Sequence, residues 1–81
     1  QTFLTVEFKV TKRNKLAFSP HQISFHVRHP KNSFILLRVL VPRAIKLYEG
    51  SQIQELADQG HENVQPAACG LTACSLLLES L

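Results

Sequence analysis

The sequence predicts an α+β domain, a three- to four-stranded antiparallel sheet followed by two helices, with the C-terminal helix packed on one sheet face. Three observations carry this. Residues 3–12 alternate apolar and polar, Phe34 to Val41 is apolar on both faces, and the tail repeats its apolar residues at helical spacing. With 44% hydrophobic and 19% charged residues the composition is globular. Residues 1–81 therefore read as a single small domain. A chain of this length buries only about 60–65% of the surface its unfolded form exposes, which leaves a thin stability margin. It starts at Gln1 and contains no methionine, as a trimmed or excised boundary would.

In "FLTVEFKVTK", Leu4, Val6, Phe8 and Val10 share one face, and Thr5, Glu7, Lys9 and Thr11 share the other. That is a half-buried strand. "KRNK" reads as a hairpin turn, with Asn14 suited to a left-handed backbone, leading to a short strand near 15–18. Ile23, Phe25 and Val27 then fall on the opposite parity, so "SPHQ" marks a bulge or break before a strand at 22–29. "HPKNS" is the next turn.

From Phe34 to Val41 only Arg38 interrupts the apolar residues, which places this strand centrally or against another chain. "RAIKLYEG" fits either a strand or a helical turn. "SQIQELADQG" reads as a short helix with Ser51 and Gln54 as a capping box and Gly60 as the stop. Pro66 suits the first turn of a last helix, whose stripe is Ala67, Gly70, Leu71, Cys74, Leu77, Leu78 and Leu81.

No apolar run approaches the ~20 residues of a membrane-spanning helix, so no membrane partner is expected. Cys69 and Cys74, five apart, would point away from each other on a helix; they read as free thiols and lean towards a reducing, cytoplasmic setting. His26 and His29 would lie on opposite faces of a strand, and no pair of ligand-type residues has zinc-site spacing. The histidines are thus expected at the surface, and neither a metal nor a cofactor is expected. The sequence has no G-x-S-x-G elbow and no phosphate-cradling glycine loop, and its only glycines, Gly50, Gly60 and Gly70, suit turns or helix packing. Cys69, near a helix start, is the best candidate for a reactive thiol, whereas Cys74 lies on the apolar stripe. The sequence points away from an enzyme.

Charge is unevenly placed. Up to Arg43 the cations are Lys9, Lys12, Arg13, Lys15, Arg28, Lys31, Arg38 and Arg43, against Glu7 alone; beyond it Lys46 stands against Glu49, Glu55, Asp58, Glu62 and Glu79. Two surface functions compete. The first is a protein-interaction or oligomerisation module, binding another protein or a second copy through Phe34, Leu36 and Leu40 of the apolar strand and Leu76 of the last helix. The alternative is nucleic-acid binding through Lys9, Lys12, Arg13, Lys15, Arg28 and Lys31. Phe8 and Phe25 look like core rather than stacking platforms, and the absence of Lys and Arg after Lys46 argues against a recognition helix in the C-terminal half. The two-surface protein reading ranks first, because a two-sided apolar strand, a thin core and opposite charge at two ends all favour contacts between chains.

Overall fold

The computed structural model describes residues 4–80. In chain order the elements are β1 (Thr5–Thr11), α1 (Pro20–Arg28), β2 (Ser33–Leu40), β3 (Arg43–Glu49), α2 (Ile53–Gln59), β4 (Ala68–Cys69) and α3 (Leu71–Glu79). Short 3-10 turns at Gly50–Gln52 and His61–Asn63 flank α2. The α+β class and the docking of the last helix on the sheet are as the sequence indicates.

The sheet order is β1-β2-β3-β4, and it is mixed. β2–β3 and β3–β4 are antiparallel, but β1 runs parallel to β2, with Val6 beside Phe34 and Phe8 beside Leu36. A parallel pair needs a crossover, and α1 supplies it. The strand expected at 22–29 is therefore a helix. The reason is local: Ser19 Oγ accepts the Gln22 N–H at 3.1 Å, Gln22 Oε1 accepts the Ser19 N–H at 3.0 Å, and Pro20 occupies the first turn. This capping box starts a helix where the parity change had looked like a bulge.

The expected first hairpin and its strand near 15–18 are likewise absent. Residues 12–19 form a link whose Leu16 is buried and whose Phe18 packs on the same core. Asn14 does not adopt a left-handed turn, since no described residue other than glycine has positive φ. Instead it stitches this link to the chain beyond α2: His61 N–H donates to the Asn14 carbonyl at 3.0 Å, and Glu62 N–H to Asn14 Oδ1 at 2.7 Å.

"RAIKLYE" resolves as strand β3. The entry to α2 is shifted from the expected one: Ser51 lies within the 3-10 turn, and Gln52 rather than Gln54 reaches back, accepting the Glu49 N–H at 2.9 Å. Gly60, at φ +84°, ends the helix as expected. Pro66 precedes β4 instead of opening α3, which begins after Gly70. Leu81 lies outside the described residues.

β2 is fully buried on one face and only partly covered on the other. On one face Ile35, Leu37 and Val39 form a core with Leu16, Tyr48, Ile53, Leu56 and Val64, roofed by α1 and α2. On the other, Phe34 and Leu47 pack with Cys74 beneath α3. Tyr48 fixes the larger core to the 61–64 segment, its hydroxyl donating to the His61 carbonyl at 2.9 Å; burial pushes its pKa up to about 12. No helix among the described residues is long and apolar enough to cross a membrane.

Candidate protein-docking surface

A helix is about 10 Å across and strands are spaced about 4.8 Å apart, so one helix roofs roughly two strands. Two helices cover the larger core, but α3 alone covers the opposite face and sits over β3 and β4. The β1–β2 half of that face is left open. Strand alternation puts Val6, Phe8 and Val10 on it, beside Phe34, Leu36 and Arg38 of β2. Val6 is 41% exposed, Phe8 58% and Val10 50%, and Leu71 at the start of α3 is 66% exposed. Phe8, Leu36, Ile45 and Leu71 line a groove of about 290 Å³ with Arg38 and Arg43 at its rim. Both arginines are exposed, and among the described residues neither makes an ion pair.

The sequence-derived docking residues separate on this surface. Leu36 is half-buried in the groove, and Leu40, on the same face, is half-buried further along β2. Phe34 is only 3% exposed, sealed under α3. Leu76 is exposed on the side of α3 away from Cys74 and is not among the residues lining the groove. Val6, Phe8, Val10 and Leu71 are exposed as well, although the alternation of β1 and the stripe of the last helix assign them to apolar, core-facing sides. Phe8 is the clearest correction.

The basic residues do not form one stripe. Since β1 and β2 are parallel, Lys12, Arg13 and Lys15 follow the end of β1, while Arg28 and Lys31 precede the start of β2, so the two groups lie at opposite ends of the strands. Lys9 Nζ donates to the Ala17 carbonyl and to Gln22 Oε1, each at 3.2 Å, and lies 5.1 Å from the Phe18 ring centre. Lys15 Nζ donates to the Asp58 carbonyl. His26, expected to face outwards with Arg28, is fully buried, because on helix α1 it turns towards the sheet.

Two buried histidines were not foreseen, and each has a specific setting. Ser33 Oγ lies 2.9 Å from His26 Nδ1, and His26 Nε2 is 3.8 Å from Glu7 Oε1. This serine, histidine and carboxylate series is not arranged as a nucleophile. Ser33 and His26 are sealed from solvent, and the Ser33 hydroxyl donates its proton to the His29 carbonyl at 2.5 Å. The hydroxyl must then accept from His26 Nδ1–H. His61 is 4% exposed, its Nδ1 accepting from Lys46 Nζ at 3.1 Å and its Nε2–H donating to the Arg13 carbonyl at 3.0 Å. Cys69 is exposed and Cys74 buried, both as free thiols; burial pushes the Cys74 thiol up.

Burial holds the pKa values of both histidines below the ordinary 6.5, against the pull of Glu7 at His26 and with the help of Lys46 at His61. A histidine whose folded pKa is depressed binds fewer protons folded than unfolded. Its stabilising contribution is complete above the unfolded value and is lost as pH falls from there through the folded value. The melting temperature should therefore be level above about pH 7 and fall as the pH drops below the ordinary histidine value. His26→Gln and His61→Gln should each flatten that slope. Melting temperatures that rise on acidification through this window would contradict the assignment.

Comparison with family models, curated proteins and solved structures finds no match to this chain.

Proposed function

We propose that the chain is a non-catalytic protein-docking module whose binding surface is the open half of the sheet beside α3. The observation that carries this reading is the contiguity of Val6, Phe8 and Val10 with Leu36 and Leu71. Scattered exposed leucines are ordinary on a small domain, but a row of alternate strand residues beside a groove is a patch. The unpaired Arg38 and Arg43 at its rim favour a segment with an apolar face flanked by carboxylates. Leu40 extends the floor, while Phe34, on the same face, is covered by α3.

Selection of a random-peptide phage library on the purified chain tests this. Enriched peptides should combine apolar anchors with Asp or Glu, and should lose about tenfold or more in affinity on Phe8→Asp or Arg38→Glu while tolerating Leu76→Asp. Binders indifferent to Phe8 and Arg38 would overturn the reading. The competing nucleic-acid reading rests on exposed Lys12, Arg13, Arg28 and Lys31. It requires oligonucleotide binding that collapses between about 50 and 200 mM salt and depends on those residues.

A further inference from the structure

β1 is an edge strand, paired with β2 on one side only. Thr5 donates its N–H to the Asn32 carbonyl at 3.0 Å, towards β2. Backbone groups alternate along a strand, so Thr5, Glu7, Lys9 and Thr11 direct theirs at β2, while Val6, Phe8 and Val10 direct theirs to the open edge. Unprotected edges of this kind are templates for pairing with another strand.

The sequence of β1 is TVEFKVT. Read backwards it is TVKFEVT: a palindrome about Phe8 in which only the two charges exchange sign. We propose that β1 pairs antiparallel with β1 of a second copy about a two-fold axis at Phe8, joining the two sheets edge to edge. This names the partner of an oligomerising module, but it stands on the strand edge and does not depend on the docking groove.

The residue order of the strand fits that pairing, in which Glu7 and Lys9 exchange part of their contacts with Gln22 for each other across the axis. Phe8 meets Phe8 of the second copy and Val6 meets Val10, and these are the residues whose N–H and C=O groups are free to exchange hydrogen bonds. Glu7 meets Lys9 at a non-hydrogen-bonded position, where opposed Cα atoms come within about 4.5 Å and side chains approach most closely. Thr5 meets Thr11. Sliding the register by two residues would put Glu7 opposite Glu7 one way and Lys9 opposite Lys9 the other, so charge selects the register centred on Phe8. The contact is self-complementary, as two-fold symmetry demands.

The axis is perpendicular to the sheet, so both open half-faces lie on the same side. Paired in this way, Val6, Phe8 and Val10 of two copies form one continuous floor, bounded on each side by an α3 helix. The edge contact therefore widens the groove, shielding part of the exposed Phe8 surface without filling it.

Sedimentation equilibrium over about 1–500 µM, a range that brackets weak dimers, with native mass spectrometry provides the test. The chain, 9.1 kDa as a monomer, should form a dimer. Glu7→Lys and Lys9→Glu each place like charges across the axis and should weaken it by about tenfold or more. Mixed together, these two variants should form a heterodimer, because every cross-strand pair is again opposite in sign. That recovery excludes misfolding as the cause of the single-variant loss. Val10→Pro removes an N–H that faces the open edge, leaves the β1–β2 ladder its donors, and should yield a monomer with an unchanged circular dichroism spectrum. A monomer throughout the range, a mixture without heterodimer, or a dimer that survives Val10→Pro would each overturn the proposal. A surviving dimer abolished by Leu36→Asp would shift self-association to the open face. Peptide binding that persists in the Glu7→Lys monomer, altered only on the opposite face of β1, would separate the docking groove from the edge contact.

Discussion

Leu37→Ala should destabilise the chain by about 2–5 kcal/mol, as large-to-small changes at sealed core positions do. A domain of this size has roughly 4–12 kcal/mol of stability in total, so the variant should sit close to the unfolding threshold at ordinary temperatures. Leu37 lies on the central strand between Lys9 of β1 and Lys46 of β3, fully buried in the larger core with Ile35, Tyr48 and Leu56. Neighbours held by two strands, two helices and the 61–64 segment have little freedom to collapse into the space. The adjacent Leu36 points to the other face and is half-buried at the open groove. Leu36→Ala removes the same atoms from a site water already reaches, and should cost less than half as much. Urea denaturation of the two variants measures the contrast directly. Equal losses would mean that the face taken as open is covered and contributes a second full core.

How far the sequence disclosed this asymmetry depends on which signals are local. Alternation along β1, the two-sided run of β2 and the helical spacing of Cys74, Leu77 and Leu78 are patterns within one element, and each survives in the fold. Whether a layer stands over a strand is a tertiary fact. The same apolar face of β1 that is readable as Val6, Phe8 and Val10 cannot itself reveal that α3 has room for only β3 and β4. The parallel pairing was hidden by a different cause. Ile23, Phe25 and Val27 imitate a strand by their two-residue parity, while Ser19, Pro20 and Gln22 in the same stretch carry a helix-start signature. Without a helix at α1, β1 lacks a crossover and can pair with the next strand only as a hairpin. The same strand reading turns His26 outwards and gathers cations that the fold sends to opposite ends of the strands. The residues expected to dock divide in the same way: the partial exposure of Leu36 and Leu40 is a property of β2 and its open half-face, whereas the burial of Phe34 depends on where α3 sits.

Gly50→Ala should cost about 2–5 kcal/mol, combining overpacking with the loss of buried hydrogen bonds. Gly50 follows β3, and its requirement is for space, since its φ is not positive. An added Cβ would lie 2.0 Å from Ser33 Oγ, 3.2 Å from the Ser33 carbonyl oxygen and 3.3 Å from His26 Nδ1. The Ser33 hydroxyl cannot swing aside freely, because it accepts from His26 and donates to the His29 carbonyl. Displacing it would strand a histidine whose Nε2 already lacks a hydrogen-bond partner among the described residues. Gly70 makes a contrast: at φ +93° it has nothing within 4 Å of an added Cβ, so Gly70→Ala should show only the backbone cost of about 1–3 kcal/mol. The decisive measurement is a double-mutant cycle. Ser33→Ala removes the oxygen that the new methyl would strike, so Gly50→Ala should cost at least 1 kcal/mol less, roughly, in that background than in the wild type. If the two costs are equal, Ser33 is not what keeps position 50 a glycine, and the tight joint between the start of β2, helix α1 and the end of β3 is held by other contacts.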